Sequence, residues 1–206
     1  MKQIILIGGG GHCGACIDVI EALGGYKIVG IVDKVLEDPK VLSKYPWIGS
    51  DEDLPQLLMQ TSTAMVTVGQ IKTPETRMRL YLLLKSLGAN FPVIQSPIAY
   101  RSPNSTIGDG TILMHGSVVN AGAKVAENCI INSQALIEHD VEISAHCHIS
   151  TGAKINGGVF IDSGCFIGSG AILKEGIRIG KNVIIGAGQV VLQDISGDNI
   201  IRRCHD

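Results

Sequence analysis

What this 206-residue chain lacks narrows its chemistry first. The net charge is only −2 and no long basic run exists, so nothing points to nucleic acid or an anionic membrane surface. There is no stretch of about eighteen apolar residues able to span a bilayer. Met1-Lys2-Gln3 leads straight into a short apolar strand, not into a charged-then-apolar leader. These absences lead us to expect a cytoplasmic protein without a membrane or nucleic-acid partner. Its six cysteines are expected as free thiols, the Cys13-Gly14-Ala15-Cys16 spacing included. The length suffices for one large or two small domains with a sizeable core.

What the chain does have is a six-residue repeat. Every sixth residue from Ile107 through Leu113, Val119 and onward to Val191 is Ile, Leu or Val, fifteen in succession without a slip. The residue four places after each is small or aliphatic, with Gln189 as the exception. Neither a helix nor a simple strand alternation repeats at six. A hexapeptide β-helix does, because each rung is a short strand plus a corner and three rungs close one triangular coil. Fifteen rungs make five coils of eighteen residues. Cys129, Cys147 and Cys165 then stack in one interior column, about 4.8 Å apart per coil, as small hydrophobes.

The first half reads differently. Strand Ile4–Ile7 runs into Gly8-Gly9-Gly10-Gly11-His12-Cys13-Gly14, then a helix from about Cys13 to Leu23, then strand Ile28–Val32 ending in Asp33. Strand, glycine turn, helix, strand and terminal acid form a nucleotide-binding βαβ unit. The glycines admit phosphate to the backbone, and the helix N-terminus offers free N–H groups. Further elements are expected at Asp51–Met59 (helix), Met65–Val68 (strand, ending at Gly69), Thr73–Leu87 (helix) and Phe91–Ile94 (strand). The fold class is therefore an α/β Rossmann-like nucleotide-binding domain at residues 1–95. A left-handed parallel β-helix at 104–195 and a tail at 196–206 follow. Four strands and three helices are too few for a full dinucleotide fold and suit a nucleotide sugar better.

The combination resembles bacterial sugar acetyltransferases of the sialic acid O-acetyltransferase type, which include N-acetyltransferases of nucleotide-linked 4-amino sugars. The resemblance is carried by Gly8–His12, Asp33 and Gly69, by Asn132 to Asp140, and by His148 to Lys154. It implies acetyl-CoA as donor, no metal, a homotrimer, and a nucleotide sugar held by the first domain. It also implies His139 as general base. His139 stands third in its rung, facing outward, with only Ala121 and Gly157 above and below in its column. Glu138 and Asp140 are adjacent acids, and the family pattern favours Asp140 as the group that orients the imidazole. Substrate contacts are expected at Gly10, Gly11, His12, Asp33, Lys34, Gly69 and Asn132. Cofactor contacts are expected at His148, Gly157, Gly168, Ser169, Ala187 and Gly188.

His115, His146 and His205 match nothing in that pattern and are expected at the surface. The usual Gly-Val-Pro-Ala-Lys tail is absent, leaving Arg202 and Arg203 as the C-terminal candidates for CoA phosphates. The expected reaction is direct acetyl transfer to the 4-amino group of a UDP-linked 4-amino-4,6-dideoxy sugar, with a backbone N–H near Gly157 at the oxyanion. Three other readings stand beside it. They are O-acetylation of a sialic acid hydroxyl, a zinc lyase of the carbonic anhydrase type, and a non-catalytic nucleotide-sugar sensor.

Overall fold

The computed structural model describes residues 1–34 and 44–202. Arg203 and His205, named above, lie outside the described residues, as does Cys204. Three hydrophobic cores share the work, one inside the coil and one on each side of a small parallel sheet.

That sheet holds β1 (Lys2–Ile7), β2 (Tyr26–Val32), β3 (Trp47–Gly49) and β4 (Ala64–Val66), in the order β3-β2-β1-β4. Helix α1 (Gly11–Leu23) covers one side, while α2 (Leu54–Gln60) and α3 (Glu75–Ser86) cover the other. The expected helix at Asp51–Met59 is a 3₁₀ turn at Asp51–Asp53 running into α2. Ser50 and Asp53 form a capping box on that turn, each side chain meeting the other's backbone. Pro74, not Thr73, is the N-cap of α3, and Thr73 just before it accepts the Glu75 N–H at 3.3 Å.

Two expectations about strands need correction. Trp47–Gly49 was not expected, because three residues around a glycine carry no readable alternation; β3 forms by pairing with β2 at Ile31 and Val32. Phe91–Ile94 is not the last strand of this sheet. Ile94–Gln95 instead pairs in parallel with Ile112–Leu113, so coil stacking already begins inside the segment assigned to the first domain.

The coil contains eighteen two-residue strands arranged on three faces. In each rung the first strand residue points out and the second points in, which is why the six-residue series lies inside. From Leu113 to Ile185 every member of it is at most 2 % exposed. Partners on one face lie eighteen residues apart, as with Ile130 and His148. In the last coil the spacing drops to sixteen, since Ile200 pairs with Ile184 and Ile195 with Ile179. Part of the expected tail thus continues the stack. Cys129, Cys147 and Cys165 are fully buried in one column. Cys13 and Cys16 are also buried, and burial pushes their thiols up to about 11 and about 12, away from reactive thiolate. Among the described residues all five cysteines are free, and no helix is long and apolar enough to cross a membrane.

The faces differ in what their outward residues are. The face of Ile94, Ile112, Ile130, His148 and Phe166 receives the α/β domain: Ile94, Ile112 and Ile130 share a core with α1. We call it the docking face. The second, polar face carries Thr106, Lys124, Glu142, Phe160 and Arg178, with Lys124 paired to Glu142 at 2.7 Å. The third shows Tyr100, Val118, Leu136, Lys154, Ile172 and Val190. Five of these six are apolar or aromatic, and Tyr100 and Val190 are more than half exposed. Among the described residues nothing covers this third, open face.

Candidate active site

His139 and Asp140 form the corner where the open face turns into the polar face, between the strands Leu136–Ile137 and Glu142–Ile143. Asp140 has φ +59°. Every corner from Gly110 to Gly188 has positive φ at the equivalent place, and nine of those fourteen positions are glycine. Asp is among the few other residues that tolerate that geometry. The corner therefore costs little while aiming a carboxylate sideways. His139 donates its Nδ1–H to Asp140 Oδ2 at 2.9 Å, and an ionised carboxylate, having no proton to give, fixes this tautomer. Nε2 is left free to accept. The dyad is open, the two side chains being 67 % and 72 % exposed.

Space for the dyad is reserved by two glycines. A methyl group at Gly157 would lie 2.6 Å from His139 Nε2, and one at Gly122 would lie 2.2 Å from Asp140 Oδ1. Gly157 was expected from its place eighteen residues after His139. Gly122 was missed, although the same arithmetic applied to Asp140 reaches it. Glu138, the other candidate orienting acid, accepts from Asn120 Nδ2 at 2.9 Å and is held away from the imidazole. Gly157 donates its own N–H to no acceptor among the described residues, which leaves that donor beside the imidazole.

The opposite edge of the open face carries most of the other coil candidates. Asn132, Gly168, Ser169, Ala187 and Gly188 lie on the corners joining the docking face to the open face. Asn132 Oδ1 accepts the Ser133 N–H at 2.8 Å, and its Nδ2 donates to His148 Nε2 at 3.1 Å. Ser169 meets Ser150 hydroxyl to hydroxyl at 2.9 Å. Ala187 is exposed and nothing lies within 4 Å of Gly188's missing side chain. Gly168 is different: a methyl there would press on the Gly186–Ala187 backbone at 2.6 Å, so coil stacking already requires this glycine. Within one chain, then, the dyad and this small-residue edge flank the same face without meeting.

The glycine turn lies on the docking-face side. Asp33 Oδ2 accepts the Gly9 N–H and Oδ1 the Lys34 N–H, both at 2.6 Å, so the terminal acid of β2 holds the turn in shape. Nothing within 4 Å fills the side-chain space of Gly10 or Gly11, and the turn presents open backbone at the start of α1. His12 follows, packed against Gly69 and 6.3 Å from the His148 ring. Its Nε2 is buried without a hydrogen-bond partner among the described residues.

His148 itself is buried, with Nδ1–H donating to the Gln70 carbonyl at 2.6 Å and Nε2 occupied by Asn132. The residue expected to face the cofactor thus links Gln70 of the first domain to Asn132 of the coil. His146, expected at the surface, is also buried, accepting from Asn128 Nδ2 at 2.9 Å beside the Tyr81 ring. His115 is partly exposed and bridges Asp18 of α1 and Ser96 at 2.8 and 2.7 Å. Gln70 and the fully buried Arg77, neither anticipated, complete the seam. Gln70 Nε2 donates to the His146 carbonyl, and Arg77 donates to the carbonyls of Val66 and Val68. Among the described residues no three His, Cys, Asp or Glu side chains are placed to hold a metal ion.

Two outcomes are expected from this geometry. Gly157→Ala should leave melting unchanged within about 2 °C, since its backbone stays ordinary. Displacing the imidazole should nonetheless lower turnover on the order of 10²-fold in a thiol-release assay. The seam should also be acid-labile. Burial, then the nearby Arg77 charge, lowers the pKa of His12 to about 3; burial likewise lowers His148 to about 4, against the pull of its Gln70 bond. The unfolded chain takes these protons near 6.5 while the folded one refuses them. Stability is therefore complete above about pH 6.5 and falls as pH drops towards 4, approaching about 1.4 kcal/mol per pH unit for each histidine. Urea midpoints at pH 7.5, 5.5 and 4.5 measure this, and a flat profile would contradict it.

The comparisons agree with both halves. The PglD N-terminal domain model matches residues 3–81 and the bacterial transferase hexapeptide (six repeats) model matches residues 104–139. No curated protein matches. PerB from Caulobacter crescentus, solved in complex with CoA and GDP-perosamine, is 32 % identical. The match covers 97 % of this chain and 93 % of that one, with a TM-score of 0.89. The acetyltransferase domain of PglB from Neisseria gonorrhoeae, in complex with acetyl coenzyme A, is 31 % identical over 95 % and 93 % of the two chains, with a TM-score of 0.87. WeeI from Acinetobacter baumannii, at 22 % identity with 98 % and 97 % coverage and a TM-score of 0.82, shares the fold. The chain belongs to the family of hexapeptide-repeat acyltransferases in which a PglD N-terminal domain precedes the left-handed β-helix.

Proposed function

We propose that this protein transfers acetyl from acetyl-CoA to the 4-amino group of a nucleotide-linked 4-amino-4,6-dideoxy sugar, with His139 as general base. The observation that carries this is the Asp140-oriented imidazole with a free Nε2 standing over Gly157. Nε2 accepts a proton from the amine as its nitrogen attacks the thioester carbonyl carbon. The Gly157 N–H stabilises the oxyanion, the C–S bond breaks, and the amide and CoA thiol leave. Asp140 steadies the imidazolium between the two proton transfers. The coil thiols are sealed inside, and nothing calls for an acyl-enzyme.

One chain cannot assemble that site. The nucleotide turn rides on the docking face, and the dyad sits at the corner opposite that face. A homotrimer with the open, apolar faces around its axis solves this. Rotation sets the dyad edge of one subunit beside the small-residue edge of the next. There Asn132, Ser169, Ala187 and Gly188 would line the acetyl-CoA cleft. His12, whose Nε2 has no partner among the described residues, would face the sugar next to that edge. A cytoplasmic setting follows from these substrates. The C-terminal contact with CoA phosphates falls to Arg202 among the described residues.

The second reading is O-acetylation, as in the sialic acid branch of the resemblance. The relative from Caulobacter, in complex with GDP-perosamine, favours the amine. The sequence favoured a UDP carrier, which differs from GDP in the base.

The deciding assay is CoA-thiol release against UDP-linked 4-amino sugars, GDP-perosamine, and CMP-linked and free sialic acid. We expect release with a 4-amino sugar alone; release with sialic acids alone would sustain the O-acetyl reading, and binding without release would make the protein a sensor. His139→Ala should lower turnover roughly 10²–10⁴-fold, and near-normal turnover would remove His139 from its role. Ile172→Asp, on the open face, should yield folded monomers by light scattering that no longer release thiol.

A further inference from the structure

A cleft of about 200 Å³ opens at the carboxyl ends of β1 and β2, beside Gly8 of the glycine turn. Such crevices are where open α/β sheets bind ligands. Val32, Val68 and Leu80 give it apolar walls suited to the faces of an aromatic ring. At its rim Arg79, on α3, donates Nη2–H to Asp51 Oδ2 at 2.9 Å. The Asp51 side chain is only 19 % exposed, and it opens the 3₁₀ turn that Ser50 and Asp53 cap, so its position is set by backbone. Among the described residues, Asp51 Oδ1 accepts nothing, and Arg79 keeps its other N–H donors unused. The pair therefore presents donors and acceptors side by side along one edge of a cleft of mixed lining, in which Lys34 and Thr76 also stand.

We propose that this cleft takes the base of the sugar nucleotide and that the base is guanine, read by Asp51 and Arg79. The proposal rests on the nucleotide-sugar reading of the glycine turn. Guanine alone among the common bases offers an acceptor, O6, followed by two adjacent donors, N1–H and N2–H. O6 meets the guanidinium and the two donors meet the carboxylate. Uracil places O2 where guanine has its amino group, setting oxygen against carboxylate. Cytosine sets both N3 and O2 against it. A buried acceptor pair met by another acceptor is penalised more heavily than a missing bond. Asp33, committed to the Gly9 and Lys34 N–H groups, holds the phosphate turn beside the slot and does not compete for the base edge.

Calorimetric titration of the full chain with GDP, IDP, UDP and CDP tests this. IDP differs from GDP by the 2-amino group alone. GDP should bind tightest, and IDP weaker by about tenfold. Asp51→Asn should bring the GDP-to-IDP ratio towards one, while Arg79→Met should weaken GDP and IDP together because both keep O6. Equal affinity of the wild type for GDP and IDP, tighter binding of UDP or CDP, or unchanged GDP affinity in Arg79→Met would each overturn the guanine assignment. If none of the four binds while the chain is folded, the nucleotide-sugar reading itself falls, and this assignment with it.

Discussion

Everything in the coil depends on backbone N–H and C=O groups pairing with the rung eighteen residues away. Lys124 donates to Val141, Leu136 to Ala153 and His148 to Cys165, and the pattern continues turn after turn. That ladder removes all choice about register. A two-residue strand cannot slip without turning its buried aliphatic outward, and the interior holds no space for the outward residue. The first and fifth residues of a rung are thus bound to the core. The second, third and fourth are free to carry chemistry on a rigid frame.

The dyad uses that freedom. A histidine at the third place and an aspartate at the fourth share a corner whose dihedral angles are already imposed by stacking, so their relative geometry needs no further support. The columns above and below do the rest by being empty: Gly122 and Gly157 clear the space into which carboxylate and imidazole project. The same periodicity that builds a core thereby builds a notch. The notch is obtained by removing side chains from a regular surface as much as by adding them.

The seam between the domains follows a different logic. It is dense in polar groups that are neither exposed nor fully matched: among the described residues Arg77 bonds to carbonyls and to no carboxylate, and His12, Gln70, Arg77 and Asn128 each keep one buried polar atom unpartnered. Burying charge and unpaired polarity is costly, and pure packing would not select it. Its effect is to bind Gly69 and Gln70, at the nucleotide side, to His148 and Asn132, at the coil side, through one short chain of contacts. The position of the glycine-turn domain relative to the coil edge is set through these residues.

How much of this was legible in the chain depended on whether the cause was local or distant. Six-residue periodicity alone determined the β-helix, its interior residues, the cysteine column and the outward place of His139, because each follows from counting along one strand of sequence. The glycine turn and Asp33 were legible for the same reason. The Trp47–Gly49 strand, the transfer of Ile94–Gln95 to the coil and the burial of His146 were not, since each is decided by a partner far away in sequence. Residue type alone does not separate Glu138 from Asp140; the structure pairs Asp140 with the imidazole and Glu138 with Asn120, one coil earlier. The column Val118, Leu136, Ile172 and Val190 follows from eighteen-residue steps, but that the α/β domain packs on a different face and leaves this one open does not. The sequence by itself determined what each rung is. Tertiary structure decided which face of the coil the α/β domain covers and which histidines it buries, because packing brings together residues that no local count connects.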